Sequence, residues 1–219
     1  VIIFGWGKFG HKAFTKFKND YNILIIDSTT ADAKELESMS ITVQNNNKIE
    51  KIINIYSSQS TNSEYKIYDF ILGSISELAK ILNKITPKYL VPTAPTHLMA
   101  EYVKYIYSDR LRKDQGSFES SDILSYLENE KPENMNIGGA PPASIYYSYA
   151  KADEICSDNC FGPESYCPVF DREKPMTVTE FLRDVFPKRI NDPKLPRLHW
   201  NSVVFKSTQL FPGIGGLAS

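Results

Sequence analysis

Cysteine and histidine are scarce in this chain, with three of each in 219 residues. Three cysteines do not make the disulfide framework of a small secreted domain. Neither charge is in excess: 25 Lys and Arg stand against 26 Asp and Glu, a formal net charge of −1. That balance gives no broad electrostatic footprint for nucleic acid. Long hydrophobic runs are also missing, and none approaches the roughly 20 residues that span a bilayer. The chain opens on a buried-strand pattern with no signal peptide ahead of it, so a soluble, cytoplasmic protein is expected. What is present is material for a core. Hydrophobic residues make up 42% of the chain, and 13 Tyr and 12 Phe argue against disorder. The length suits one large domain, or one domain with a smaller lobe.

The first half alternates strand and helix patterns. Val1-Ile2-Ile3-Phe4 is a short apolar run of the kind buried on both faces of a sheet. A helix is expected from about Lys8 to Lys18, then a second buried strand, Asn22 to Asp27. A short helix at Ala31–Met39, a strand at Ile41–Gln44 and an amphipathic helix at Asn47–Tyr56 follow. Tyr68–Leu72 reads as the fourth strand, and Ser74–Ile85 as a helix with Ser74 and Glu77 as a capping box. Tyr89–Val91 is the fifth strand, and Met99–Tyr107 a further helix. Five strands alternating with helices imply an α/β fold with a doubly wound parallel sheet, order about 3-2-1-4-5. Ligands of such sheets sit at the carboxyl ends of the strands, at the switch point beside the first strand.

Gly5-Trp6-Gly7-Lys8-Phe9-Gly10 falls at that place. A bare GxGxxG is a weak signal, but here a strand precedes it, a helix follows, and the next strand ends in an acid. Gly5 permits a tight turn, Gly7 lets backbone approach a pyrophosphate, and Gly10 lets the helix pack closely on the strand. The helix N-terminus offers N–H groups and a partial positive charge to phosphate. Asp27 is placed to accept hydrogen bonds from an adenosine ribose, and its charge repels a 2′-phosphate, so NAD is favoured over NADP. Ser28 and the two threonines after it soften that preference. The candidate cofactor-binding set is Gly5, Trp6, Gly7, Lys8, Phe9, Gly10, Asp27 and Ser28. The competing reading gives the glycines a packing role only, with Asp27 as a helix cap.

With these residues in view, positions 1 to about 110 resemble the Rossmann-type NAD-binding domains of the TrkA-N (KTN/RCK) potassium-transport regulator superfamily. Val1 to Gly10 and Ile25-Ile26-Asp27 carry the resemblance. It implies dinucleotide binding by Gly5, Gly7, Gly10 and Asp27. That family often has an aspartate-containing turn after its third strand, where this chain has Asn45-Asn46-Asn47.

The expected domains are 1–111, binding the dinucleotide, and 112–219, a smaller cysteine-containing α+β lobe. Pro92 and Pro95 stiffen the loop after the fifth strand and aim His97, a candidate catalytic acid or base. A first-turn helix residue is the alternative there. In the second half a helix is expected at Ser121–Glu128, a turn at Gly138–Pro142, and a strand at Ile145–Tyr149. Thr177–Phe186 reads as a helix with a Thr177/Glu180 capping box, and Ser202–Phe211 as a strand before a final glycine-rich turn. The lobe adds antiparallel strands, either extending the main sheet or capping the cofactor cleft.

The three cysteines crowd into Cys156-x3-Cys160-x6-Cys167. Thiolates this close on loop-like sequence suit zinc or an iron–sulfur cluster, with His199, His97 or Asp171 as a fourth ligand or an open position. Redox-active thiols, a disulfide and plain structural cysteines are the alternatives. The resulting functional expectation is an NAD(P)-binding protein, either an oxidoreductase acting on a small molecule or an NAD-sensing regulatory protein without turnover. A third reading is a metal- or cluster-carrying module. A homodimer is the default assembly, with no nucleic-acid partner and no membrane span.

Overall fold

A computed structural model describes residues 1–45, 49–58, 65–94, 98–107, 120–140, 144–151, 153–154, 164–190, 208–211 and 214–218. The chain divides into two compact units, Val1–Arg112 with Ser207–Ser219, and Lys113–Lys206.

In the first unit β1 (Ile2–Phe4) leads through the glycine loop into α1 (Lys8–Phe17). Then follow β2 (Ile23–Asp27), α2 (Ala33–Ser38), β3 (Thr42–Gln44) and α3 (Ile49–Ser58). The series ends with β4 (Tyr68–Leu72), α4 (Ile75–Leu82), β5 (Tyr89–Pro92) and α5 (Leu98–Ile106). All five strands run parallel. Alternate strand residues face opposite ways. Ile3, Ile25 and Phe70 therefore pack with Phe14, Phe17 and Leu36 of α1 and α2. Ile2, Leu24, Ile26 and Ile71 pack with Ile52, Ile53, Leu78 and Ile81 of α3 and α4. Helices on both faces of a parallel sheet make this an α/β fold, as the sequence implies.

The strand order is not the expected 3-2-1-4-5. The sheet reads β5-β1-β2-β4-β3 through its parallel part. Burial explains the exchange. β4 is Tyr-Asp-Phe-Ile-Leu with three fully buried positions, and it pairs along the whole of β2, from Ile23↔Tyr68 to Asp27↔Leu72. β3 is three residues long and two of them are exposed, Val43 at 57%. A strand that can be buried on both faces suits the interior of such a sheet. β3 takes the edge, where Gln44 Nε2 donates to Oδ1 of the buried Asp69 on β4 at 2.7 Å. The switch point stays beside β1, but β5 forms its other side.

Two further strands extend this sheet. β10 (Thr208–Phe211) and β11 (Ile214–Ala218) form an antiparallel hairpin, and β11 pairs antiparallel with β5, Leu217 opposite Leu90. The final glycine-rich segment is thus a strand rather than a turn, and residues 207–219 group with the first unit, outside the expected 112–219 lobe. Glycine lacks only a side chain, and the strand pairing supplies what side-chain packing does not.

The second unit holds α6 (Ser120–Glu130), a hairpin of β6 (Asn136–Ala140) and β7 (Ser144–Ser148), a short hairpin of β8 (Tyr166–Cys167) and β9 (Arg172–Glu173), and α7 (Val178–Ile190). Gly138 and Gly139 lie inside β6, not in a turn. Leu127, Met135, Tyr149, Phe181 and Val185 form its core. The Thr177/Glu180 capping box is present, with N–H···O distances of 2.7 and 3.2 Å. α7 runs past Phe186 through Pro187, which has no backbone N–H to give to the helix.

Candidate functional site

The glycine loop sits at the carboxyl ends of β1 and β2, and each glycine there has its own reason. Gly5 has φ +112°, a conformation that side chains resist, and a Cβ on it would lie 2.4 Å from Ala94 N. Gly10 is buried on α1, and a Cβ there would lie 2.2 Å from the Gly5 carbonyl oxygen. These two glycines are demanded by the protein's own packing. Gly7 differs: it is exposed, and a Cβ on it would meet nothing within 4 Å. It is the N-cap of α1, provides no side-chain cap, and is followed by no acid in the first turn. Lys8 stands there instead. A cation opposes the helix dipole at an N-terminus, whereas an anion is favoured there.

Asp27 closes the loop from the second strand. Its Oδ2 accepts the Trp6 backbone N–H at 2.5 Å, and its Oδ1 accepts the Thr29 N–H at 2.7 Å and the Thr29 hydroxyl at 2.6 Å. Partial burial pushes the carboxyl up, but the bonds from Thr29 and Trp6 outweigh it and hold the group below the ordinary aspartate value. Asp27 is therefore an ionised acceptor that organises both turns it touches. It does not cap α2, whose N-cap is Asp32. Ser28 lies exposed beside it.

Among the other loop residues, Trp6 is turned inward. Its ring stacks on His11 at 4.1 Å between centroids and meets Phe14 edge-on. His11 Nδ1 lies 3.5 Å from Glu35 Oε1 on α2. The Trp6 side chain belongs to the core, and only its backbone borders the site. Phe9 packs partly buried against the same core, and Lys8 lies over its ring at 5.6 Å.

Thr93 is a contributor that the sequence reading missed. Its N–H donates to the Phe4 carbonyl at 2.8 Å, and its hydroxyl reaches the Phe4 and Gly5 carbonyls at 3.1 and 2.7 Å. Ala94 N–H adds a bond to the Phe4 oxygen at 2.9 Å. The loop after β5 thus anchors the glycine turn directly. The Pro-Thr-Ala-Pro spelling was a signal for a stiff loop, but not for this anchor. The turn standing beside Asp27 is the one after β4: Gly73 N–H donates to the Asp27 carbonyl at 2.7 Å. Of Asn45-Asn46-Asn47, only Asn45, next to the edge strand β3, lies within the described residues.

His97 lies outside the described residues, as do Cys156, Cys160 and His199. Cys167 is described and buried, with a free thiol, and pairs in register with Arg172. Asp171 has φ +47° and accepts a hydrogen bond from the Tyr166 hydroxyl. Among the described residues no three His, Cys, Asp or Glu come together as a metal cluster. Arg172 holds Glu154 through two bonds of 2.7 and 2.8 Å, and draws the Glu154 carboxyl down to about 2.

The fold and loop define an α/β protein with a glycine-rich turn at the switch point of a parallel sheet. The chain belongs to the family whose C-terminal model, AF_1314_C, described as "Uncharacterized protein, C-terminal domain", matches residues 102–219. The companion N-terminal model, AF_1314_N, matches residues 1–98. A relative in Archaeoglobus fulgidus, described as an uncharacterized protein, is 26% identical over 220 residues, covering 99% of this chain and 83% of that protein. No solved structure gives a significant match. No helix among the described residues is long and apolar enough to cross a membrane.

Proposed function

We propose that the first unit binds an adenine dinucleotide, NAD in preference to NADP, at the carboxyl ends of β1 and β2. Gly7 carries this reading. The other two glycines of the loop are explained by internal sterics, whereas Gly7 opens space beside an uncapped helix N-terminus that nothing in the described protein fills. A pyrophosphate held there satisfies the N–H groups and answers the dipole. Asp27, ionised and anchored, accepts from the ribose hydroxyls with its remaining lone pairs. When bound, the nicotinamide supplies hydride chemistry, and the protein's part is to hold and orient it. The activity proposed is that of an oxidoreductase; the alternative is an NAD-sensing protein without turnover. The fold does not choose between them.

The test is a fluorescence titration with NADH. Saturable binding is expected for the unaltered protein, with loss on Gly7→Val and marked weakening on Asp27→Ala. Absence of binding by the unaltered protein overturns the reading. Consumption of NADH with a panel of carbonyl substrates separates the enzyme from the sensor.

A thiolate site for zinc or an iron–sulfur cluster at Cys156, Cys160 and Cys167 is a separate proposal. It draws support from the Arg172–Glu154 pair, which ties the residue two before Cys156 to the partner strand of Cys167. Elemental analysis of anaerobically purified protein tests it; protein free of zinc and iron sinks it.

A further inference from the structure

The opposite, amino-terminal edge of the same sheet holds a cavity of ≈ 410 Å³, within the size range of small-molecule sites. Its inner wall is apolar, from Ile2, Leu24, Ile85 and the Tyr56 ring. Its outer wall carries Lys66, Lys88, Asp20 and Thr86. The charged side chains lining it are thus two cations and one anion.

The walls are fixed in advance. The Tyr56 hydroxyl donates to the Ile23 carbonyl at 2.8 Å, pinning α3 to the start of β2. Asn22 Oδ1 accepts the Ile67 N–H at 3.0 Å, and Ile23 N–H donates to the Ile67 carbonyl at 2.9 Å, tying the approach of β4 to that of β2. Lys88 Nζ donates to the Tyr21 hydroxyl at 3.2 Å and lies over the Tyr21 and Tyr89 rings at 5.1 and 5.6 Å. An exposed lysine ordinarily samples many rotamers; here two aromatic faces and a hydroxyl hold its charge at the cavity mouth. A preformed apolar pocket with a positioned cation at its rim suits an amphiphilic anion.

From these walls we infer a second ligand site, distinct from the glycine loop, that takes a small monocarboxylate with an aliphatic or aromatic body. The body lies against Ile2, Leu24 and Ile85, and the carboxylate faces Lys88 and Lys66.

Octanoate is the probe, followed on the full chain by amide NMR and calorimetry, with octylammonium as the charge control. Saturable shifts are expected at Asn22, Thr86 and Lys88, with at least tenfold weaker binding of octylammonium. Lys88→Glu is expected to weaken octanoate at least tenfold. Thr86→Trp, an exposed lining position that leaves the core intact, is expected to abolish octanoate binding while NADH titrations and the melting temperature stay unchanged. Equal binding of octanoate and octylammonium, or undiminished octanoate affinity in Thr86→Trp, overturns the site, as does the absence of saturable shifts at millimolar octanoate.

Discussion

The carboxylate of Asp27 grips the backbone N–H of Trp6 at 2.5 Å, so the last residue of one strand holds the turn that ends its neighbour. This gives Asp27 a structural role of its own, beside the ribose contact proposed for it, and that structural role depends on pH. Its folded-state value lies below the ordinary one. A depressed acid stabilises the fold above its unfolded value of roughly 3.9 and loses that contribution as pH falls through the lower folded value. Asp27→Asn is therefore expected to be less stable than the unaltered protein at neutral pH, by roughly 1 kcal/mol for a lost charged hydrogen bond. The gap should narrow below about pH 4. Denaturant titrations across pH check it, and a gap that is constant with pH counts against the assignment.

The three loop glycines should part company under substitution. Gly5→Ala and Gly10→Ala force a Cβ to within 2.4 and 2.2 Å of backbone atoms. Overpacking of this kind costs about 1–3 kcal/mol, and more where backbone must move. Gly7→Ala meets open space, so its melting temperature should stay close to that of the unaltered protein while NADH affinity falls. Thermal melts beside NADH titrations distinguish the three.

The capping box of α4 gives a second acid window. Glu77 accepts from the Ser74 N–H and hydroxyl, both at 2.8 Å, and from the Ser76 hydroxyl at 2.8 Å. Burial alone raises its value, but these bonds bring it down to about 2 from 4.5. The stability it adds is complete above pH 4.5 and fades as pH falls toward 2. Glu77→Gln should cost on the order of 1 kcal/mol at neutral pH, as for a lost cap, with little difference near pH 2. Chemical denaturation at both pH values measures it.

Gln44 and Asp69 should show strong coupling. Asp69 is 2% exposed and receives Gln44 across the β3–β4 pair. Gln44→Leu strips a donor from a buried carboxylate and is expected to cost ~1–3 kcal/mol. Adding Asp69→Leu should restore much of that loss, because a pair of apolar groups leaves nothing unsatisfied. A double-mutant cycle with additive effects would contradict the pairing.

Local pattern in the sequence identified most elements. The buried strands, the glycine turn and both capping boxes, Ser74/Glu77 and Thr177/Glu180, are written in neighbouring residues, which is where their physics acts. Strand order is not local. Whether β3 or β4 lies against β2 depends on which strand can be buried on both faces, and on an acid, Asp69, that receives Gln44 from the neighbouring strand. β6 and β11 were missed for a related reason: paired glycines resemble turns until a partner strand is known. The Thr93 anchor was hidden because it joins residues 88 and 89 positions apart. In the proposed site, spacing alone singles out Gly5, Gly7, Gly10 and Asp27; the structure gives Gly5 and Gly10 a steric role and Asp27 an anchoring one, while the Trp6 ring packs into the core.

The pairing of β11 with β5 bears on how this protein can be dissected. Leu217 and Ala218 cover the β5 edge at Leu90 and Tyr89. A fragment ending near residue 111 leaves that edge bare, and unpaired strand edges recruit other chains. Such a fragment should aggregate on expression even though it contains every residue of the glycine loop. A fragment retaining the final dozen residues through a short replacement linker should remain monodisperse. The residues from Lys113 to Lys206 are in this sense an insertion: the polypeptide leaves the sheet after α5 and returns to finish it.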